Sequence, residues 1–298
     1  MDRLLEPTIP IPAPPPPQVP PRSRSRVRRG LKITAIVSVI AFAASILTTF
    51  AYIWIAPPRT SYMLQAGEPI VYQYVSLDHI SRYTVASVVA HEDEELGSRV
   101  GAFTSDEFAA RAQAFLSGQQ DPTGSTVPQQ LVKNIFLWPS HDPFRKGIEA
   151  GVSTEFALIV PKQRILELYL NYAQFGPKLF GICAASWYYY GTPPAKLTEY
   201  ESAQLMGVLP LPDRVKRAPR GGLDIGPTAD PMAADLINGA ANVWVPRQLA
   251  GMGGWQAAAA TIGITDSAAS HADTQNGPDG CSTMPQSVAE RLSAEHAK

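Results

Sequence analysis

Residues 124–134 carry polar side chains with the spacing of a helix start that binds phosphate. Thr126 is a suitable N-cap, Gln129 three residues later can complete a capping box, and Pro128 is tolerated because first-turn amides have no partner inside a helix. Side chains four positions apart then share a helical face: Gln129 with Lys133, and Gln130 with Asn134. A positive helix end, free amides and a cation together favour a phosphate group. An ordinary capped surface helix is the alternative for this segment alone.

Four consecutive acids at positions 92–95 close the apolar helix that is predicted before them. Carboxylates at a helix C-terminus face the negative end of the helix dipole and repel one another, and both effects raise a carboxyl pKa. A glutamate held there can act as a general base near neutral pH, and Glu92 is the candidate. A solvated acidic helix end is the alternative.

A third cluster consists of Arg145, Lys146 and Glu149, with Arg145 and Glu149 four positions apart on one helical face. The two cations can form a second wall of the phosphate site, and Glu149 can bind a metal or orient a cation. The turn-rich stretch 139–143 lets the chain fold back beside the helix that carries Lys133. A local ion pair, worth only about 0.3 kcal/mol when exposed, is the alternative.

Residues 162 to about 175 are predicted to be helical, and the stretch 162–171 is amphipathic, with a buried stripe that contains Ile165, Leu168 and Tyr169. Glu167 and Asn171 are four positions apart and can brace one another or a neighbouring loop. We assign structural support to four polar residues in and beside the motifs: Asp93, Lys162, Glu167 and Asn171.

The elements that must position these residues begin with a membrane helix. Residues 33–56 carry no charge and can cross the roughly 30 Å hydrocarbon core of a bilayer. A basic stretch at 22–32 precedes them, so the N-terminus is predicted to be cytoplasmic and residues 57–298 to lie outside. A cleaved signal peptide is the alternative, but the apolar stretch is long for one and Pro57 follows it directly.

The pattern predicts a mostly α-helical protein with five regions: a disordered Pro/Arg-rich tail at 1–32, the membrane helix at 33–56, a linker with short strands near 70–75 at 57–77, a helical domain at 78–215, and a Gly/Ala-rich extension, partly helical and partly disordered, at 216–298. Asp78 is the expected N-cap of the helix that ends near Glu92.

Composition and cysteines narrow the partner classes. The formal net charge of −1 does not point to nucleic acid, and no Cys/His cluster has the spacing of a zinc site. Cys183 and Cys281 lie on the outer side, where a disulfide is chemically allowed. Cys183 is part of a small apolar run, which favours a buried free thiol, and the sequence leaves open whether the two cysteines meet.

Together, in this order and behind an N-terminal anchor, the motifs resemble those of family 51 peptidoglycan glycosyltransferases over about residues 60–215. The family patterns E-D-x-x-F-x-x-H-x-G, G-x-S-T-x-x-Q-Q-x-x-K-N, R-K-x-x-E and K-x-x-I-L-E-x-Y-L-N match this chain from residue 92, at 125–134, at 145–149 and at 162–171. Three positions depart from the pattern: Leu96 for the aromatic residue, Arg99 for the histidine and Thr123 for the first glycine.

The resemblance implies a lysozyme-like glycosyltransferase domain with a smaller membrane-facing lobe, anchored in a bacterial inner membrane with the catalytic domain in the periplasm. It implies polymerisation of lipid II, with inversion at the anomeric carbon and release of undecaprenyl diphosphate. Glu92 is the implied base, and Glu149 helps to position the donor diphosphate, with a divalent cation (Mg or Mn) and without an organic cofactor. The implied substrate-binding residues are Ser125, Thr126, Gln129, Gln130, Lys133, Asn134, Arg145 and Lys146.

The implied partners are lipid II, the growing lipid-linked glycan and the bilayer, with cell-wall synthesis or division proteins as further candidates. No Ser-x-x-Lys or Lys-Thr-Gly follows the motifs, so we expect a monofunctional enzyme that is insensitive to β-lactams. A non-catalytic member that binds the lipid carrier or acts as a scaffold is one alternative, allowed by Leu96 and Arg99. The other is a lysozyme-like hydrolase, which would have no need for cations around a diphosphate.

Overall fold

The computed structural model describes residues 24–119, 124–138, 143–266 and 280–296. Most of the predicted tail, Thr123, and residues 267–279 of the predicted disordered stretch lie outside these ranges. Within them the chain is mostly α-helical, as the sequence predicts.

The first helix, α1, covers Arg24–Ala51. It is the one helix in the described part of the chain that is long and apolar enough to cross a membrane, over Arg28–Ala51, and it fits a membrane anchor. The helix ends at Ala51, before the predicted end of the span at residue 56, because residues 52–54 form a turn. The Tyr52 ring packs on Phe136 and Phe156, and its carbonyl accepts a hydrogen bond from Arg164 Nε at 2.9 Å.

The helices that follow up to residue 208 are α2 Ser61–Ala66, α3 Arg82–Glu92, α4 Ser105–Ser117, α5 Val127–Phe136, α6 Pro143–Ile159, α7 Lys162–Tyr172, α8 Ile182–Tyr190 and α9 Glu199–Val208. Three short strands form one sheet in the order β1-β3-β2: β1 Val71–Tyr72, β2 Gln174–Gly176 and β3 Leu179–Phe180. Strand β3 pairs in parallel with β1, where Val71 faces Leu179, and antiparallel with β2.

Two predicted helix bounds are wrong. The helix expected from Asp78 begins at Arg82, because Leu77–His79 first forms a 3-10 turn and Ile80 has extended backbone. The helix expected to run to about residue 175 ends at Tyr172, because the next residues join the sheet. The sequence predicts the strand near 70–75, but its periodicity does not reveal β2, whose pairing depends on β3.

Helix α3 lies in the centre of the domain. Its apolar residues Val85, Ala86, Val88 and Val89 have no exposed surface, and α9 packs along it. A helix that is apolar on most sides is stable only when other elements surround it. This environment fixes the axis of α3 and therefore the position of its last residue, Glu92.

The stretches predicted as a linker and an extension both belong to the folded domain. In the first, Met63 on α2 is only 1% exposed. Beyond residue 215 lie α10 Pro231–Gly239, a π-helical turn Ala240–Trp244, α11 Val245–Gly251, α12 Trp255–Ala260 and α13 Gln286–His296. Ile237 and Val245 are fully buried. Helix α10 and the π-helical turn pack on α9, α11 and α12 pack on α3, and α13 packs on α8 and β1.

The interpretation of Cys183 as a free thiol is wrong. Cys183 on α8 forms a disulfide with Cys281, with the two Cα atoms 6.0 Å apart and 98 positions between them in sequence. The reason is the position of α13, which packs on α8 and brings the preceding loop to the buried end of that helix. Trp187 Nε1 donates to the Cys281 carbonyl at 2.9 Å beside the bridge.

Candidate active site

Glu92 is the last residue of α3, and its carboxylate faces α5. Gln130 Nε2 donates to Glu92 Oε2 at 2.9 Å, and the Tyr169 hydroxyl on α7 donates to Gln130 Oε1 at 3.0 Å. Burial raises the pKa of Glu92, while the hydrogen bond from Gln130 and the nearby His91 ring lower it by smaller amounts. A raised pKa was expected, but burial rather than repulsion among neighbouring acids is its main cause.

Asp93 connects the end of α3 to the start of α5. Its two oxygens accept from Arg99 Nη1 at 2.9 Å and Nη2 at 2.7 Å, and Oδ2 also accepts the Val127 backbone N–H at 3.0 Å. The Asp93 and Arg99 side chains are each 3% exposed. A carboxylate at the first turn of α5 stabilises that helix end, so Asp93 fixes the base relative to the predicted phosphate-binding turn.

The start of α5 has the capping box that the sequence predicts. The Thr126 N–H donates to Gln129 Oε1 at 3.1 Å, and both residues are buried. Their side chains therefore hold the helix start, and their contact with substrate stays a prediction. Ser125 is exposed at the turn, and its carbonyl accepts from Gln130 Nε2 at 3.1 Å. Asn134, one turn further along α5, has its Nδ2 3.5 Å from the Tyr172 carbonyl.

Lys133 interacts electrostatically with the candidate base Glu92 and with the second charged cluster of the site. It lies on α5, and burial lowers the pKa of its ammonium group. Glu149 raises that pKa, Lys146 and Arg145 lower it, and Glu92 raises it by a smaller amount. Lys133 is therefore within electrostatic reach of both the candidate base and the second cationic cluster.

The second cluster is a compact ion triad on α6. Arg145 Nη1 and Lys146 Nζ donate to the two oxygens of Glu149, each at 3.0 Å. Arg145 and Glu149 are almost completely buried, whereas the Lys146 side chain is 43% exposed. Removing one member of a buried pair leaves an uncompensated charge, so this is more than the exposed local pair considered from sequence. Tyr62 on α2 lies in the field of this triad, a neighbour that the motifs do not reveal.

The described residues do not offer a ready-made metal cage. No group of three His, Cys, Asp or Glu side chains in the described ranges could hold an ion. Both oxygens of Glu149, the predicted ligand, already accept hydrogen bonds from Arg145 and Lys146. Mg²⁺ in proteins is usually held by one or two carboxylates together with substrate phosphates, so Glu149 and the donor diphosphate would be its ligands, and the divalent cation stays a prediction.

Residues of α7 fasten the segment that leads into α3. Glu167 Oε2 accepts the Leu77 N–H at 2.8 Å, and Asn171 makes two 2.8 Å hydrogen bonds to the Val75 backbone. Lys162, at the start of α7, lies near the Asp93–Arg99 pair, and burial lowers its pKa. Its buried Nζ has no hydrogen-bond partner within the described part of the chain.

Comparisons with known proteins identify the arrangement. A family model described as transglycosylase matches residues 61–222. The chain belongs to the transglycosylase family. It is 37% identical to the biosynthetic peptidoglycan transglycosylase of Marinomonas sp. (strain MWYL1), over 56% of this chain and 74% of the relative. It is 38% identical to the protein of that name from Shewanella oneidensis, over 60% of this chain and 79% of the relative, and 34% identical to one from Rhodopseudomonas palustris (strain TIE-1), over 68% and 86%.

These comparisons confirm the resemblance that was drawn from the motifs, the mostly helical lysozyme-like class and the enzyme class, peptidoglycan glycosyltransferase. In this transglycosylase the first motif lies at the end of α3 and in the loop that follows, the second at the start of α5 and along it, the third on α6 and the fourth on α7. Sequence reasoning assigned Tyr169 only to a buried stripe, although it completes the hydrogen-bond chain to Glu92 through Gln130. The sequence shows the helical spacing of Tyr169 on α7, but it does not show that Gln130 on α5 is its hydrogen-bond partner.

Proposed function

We propose that this transglycosylase polymerises lipid II into glycan strands, with Glu92 as general base. The hydroxyl of one sugar gives its proton to the Glu92 carboxylate as its oxygen attacks the anomeric carbon of the next. The new glycosidic bond forms as the bond to the lipid diphosphate breaks, so the anomeric centre inverts. The observation that carries the proposal is that α5 brings the two groups together: its Gln130 donates to Glu92 Oε2 at 2.9 Å, and the helix packs on α6, which carries the Glu149 triad. Lys133 of α5 interacts electrostatically with both. A base and a cationic cradle are what this reaction needs.

In this proposal Lys133, Arg145 and Lys146 stabilise the negative charge that develops on the departing diphosphate. Lys146 has the largest free surface of the triad and is the residue that can leave Glu149 to meet a phosphate oxygen. Glu149 then keeps Arg145 oriented through the 3.0 Å hydrogen bond. Ser125, exposed at the turn before α5, supplies a further hydrogen-bond donor, whereas the amides at the helix start already donate to Gln129 and Asp93.

Our proposal takes no step through a metal, because the Glu149 oxygens are occupied by the two cations of the triad. Cations from side chains can neutralise a leaving diphosphate in the way that a divalent ion does. A dependence of turnover on Mg or Mn that survives neutralisation of Lys146 would speak against this assignment.

We place the catalytic domain on the outer face of the bacterial inner membrane, with α1 as anchor and the N-terminus in the cytoplasm. The basic residues before α1 support this orientation. The Cys183–Cys281 disulfide supports it independently, because such bonds persist in oxidising compartments such as the periplasm. Lipid II and the growing lipid-linked glycan would then be held at the same membrane.

The test is polymerisation of purified lipid II by the detergent-solubilised full chain. The proposal expects long glycan strands and release of undecaprenyl diphosphate. Release of soluble muropeptides from cell wall without polymer would identify a hydrolase instead. Binding of lipid II without turnover, unaltered in a Glu92→Gln variant, would identify a non-catalytic member of the family.

A further inference from the structure

We propose that residues 231–266, here named the clamp segment, hold α3 in place for catalysis, and that His91 is a positioning residue for Glu92. This inference rests on the proposed function, because it concerns the same carboxylate. The segment lies beyond the region that matches the family model, residues 61–222.

The clamp segment packs closely on α3 and on the loop that follows it. Helices α11 and α12 both pack on α3. The Tyr83 and Trp255 rings meet edge to face with centroids 5.1 Å apart. At Gly97 a Cβ atom would lie 2.3 Å from the Thr261 carbonyl oxygen, so the two backbones touch at this point. Only glycine allows this approach.

Two polar contacts fasten the segment to opposite ends of α3. At the start, the buried Arg82 guanidinium donates to the Asp266 carboxylate from Nε at 2.9 Å and Nη2 at 2.8 Å. At the end, His91 Nδ1 and Gln248 Oε1 are 2.9 Å apart, and the imidazole stacks on the Trp244 ring with an interplanar angle of 7°. Because an amide oxygen only accepts, His91 donates in this bond.

This arrangement fixes the last turn of α3 from two sides. Consecutive residues on a helix point about 100° apart, so His91 faces the clamp segment while Glu92 faces α5. Gln248 holds the first of these side chains, and Gln130 holds the second. Release of His91 would free the turn to rotate and would move the Glu92 carboxylate away from Gln130.

The charge of His91 also acts on Glu92. The groups that face the carboxylate are His91 and Asp93 from its own chain segment, Gln130 and Lys133 from α5 and Tyr169 from α7. Glu94 and Glu95 are exposed. The side chains that the clamp segment brings to His91, Gln248 and Trp244, are neutral. A protonated His91 ring therefore favours the carboxylate form of Glu92, which is the form that accepts a proton.

The experiment measures kcat and KM for lipid II between about pH 5 and 9 for the full chain and its variants. Gln248→Ala is expected to lower kcat about ten- to a hundredfold with KM unchanged, because the base is displaced while the substrate sites are intact. His91→Gln can still donate to Gln248, so it is expected to keep most of kcat but to move the acid limb to higher pH, because a group that lowers the pKa of Glu92 is lost. Glu295→Gln, which weakens the contact of α13 with Tyr188, is the matched control and is expected to match the wild type.

A wild-type kcat and pH profile for Gln248→Ala would overturn the inference. So would a kcat loss that vanishes when each variant is assayed equally far below its own Tm, because that loss would come from unfolding alone. Glu92→Gln separates the two hypotheses. If it is inactive while Gln248→Ala is normal, the clamp fails and the base assignment stands; if it is fully active, the proposed function fails.

Discussion

Arg99 and Asp93 form a bidentate ion pair inside the protein, with nitrogen–oxygen distances of 2.9 and 2.7 Å. Arg99 stands at the position where the first motif of the family has a histidine. Because Asp93 also accepts the Val127 N–H, the pair controls the distance between the end of α3 and the start of α5. The departure from the motif therefore coincides with a defined structural role.

Replacement of Arg99 by alanine is expected to lower the free energy of unfolding by about 3–5 kcal/mol, because the Asp93 carboxylate would be left buried and unpaired. Chemical denaturation of the full chain in detergent measures the change. Arg59→Ala is the control, since Arg59 pairs with Glu68 at 3.4 Å on the exposed surface and is expected to cost less than about 1 kcal/mol. Equal losses in the two variants would contradict a structural role for the buried pair.

Substitution of Glu92 by glutamine is expected to lower kcat at least about a hundredfold, because the amide can accept the Gln130 hydrogen bond but cannot take a proton. Turnover of lipid II by purified protein is the measurement. Glu94→Gln alters an exposed neighbour and is expected to leave the rate unchanged. Retention of wild-type turnover by Glu92→Gln would remove this residue from the base role.

The acid limb of the pH–rate profile is expected above the usual range of a glutamate. Catalysis needs the Glu92 carboxylate, and burial raises its pKa, so the rate falls as pH falls through the raised value. Gln130→Met removes a hydrogen bond that favours the carboxylate and is expected to move the limb higher still. An acid limb at the same pH in both proteins would show that Gln130 does not act on the base.

The free energy of unfolding is expected to change with pH in the opposite direction to the rate. A carboxyl group with a raised folded-state pKa binds more protons folded than unfolded, so its contribution is complete below the unfolded pKa and is lost as pH rises through the folded pKa. Glu92→Gln is therefore expected to gain stability relative to the wild type in the pH interval between the unfolded-state pKa and the folded-state pKa of Glu92. Tm values of both proteins across the interval check this, and parallel curves would contradict it.

Lys133→Ala is expected to weaken use of the lipid-linked donor, while Lys133→Arg retains the cation and much of the activity. Burial lowers the Lys133 pKa, so the positive charge, and with it the rate, falls as pH rises through a value below the usual lysine range. Initial rates at varied donor concentration and pH separate the three proteins. A basic limb that is the same in wild type and in Lys133→Arg would argue against titration of this lysine.

Loss of the disulfide is expected to destabilise the domain by about 2–4 kcal/mol, because the bridge closes a long loop in the unfolded chain. The measurement is thermal unfolding of the double variant with Cys183 and Cys281 changed to serine. Alkylation of the wild type, purified from bacterial membranes without reductant, is expected to label neither cysteine. Full labelling of both would contradict the bridge and the proposed outer location together.

The sequence predicts those parts of the site that are local. The capping box of α5 follows from the spacing of Thr126 and Gln129, and the triad follows from Arg145 and Glu149 on one helical face. In both cases the partners are three or four positions apart, which is the distance at which side chains on a helix meet. The order of the motifs along the chain also indicates the family and the reaction that it catalyses.

Contacts between distant parts of the chain could not be predicted in this way. His91 and Gln248 are 157 positions apart, and Cys183 and Cys281 are 98 positions apart. The Gly/Ala-rich composition after residue 215 suggested a loose extension, yet small side chains are what allow close helix packing beside Gly97. Burial, the main cause of the raised Glu92 pKa, also depends on elements that have no periodic signature in sequence.

The close packing of the clamp segment has a consequence for recombinant production. The matched family region ends at residue 222, but the folding unit does not. A protein shortened to that point would expose apolar sides of α3 and α9 to water, and such surfaces promote aggregation. Expression, crystallisation and inhibitor screening therefore need a chain that continues at least to Asp266.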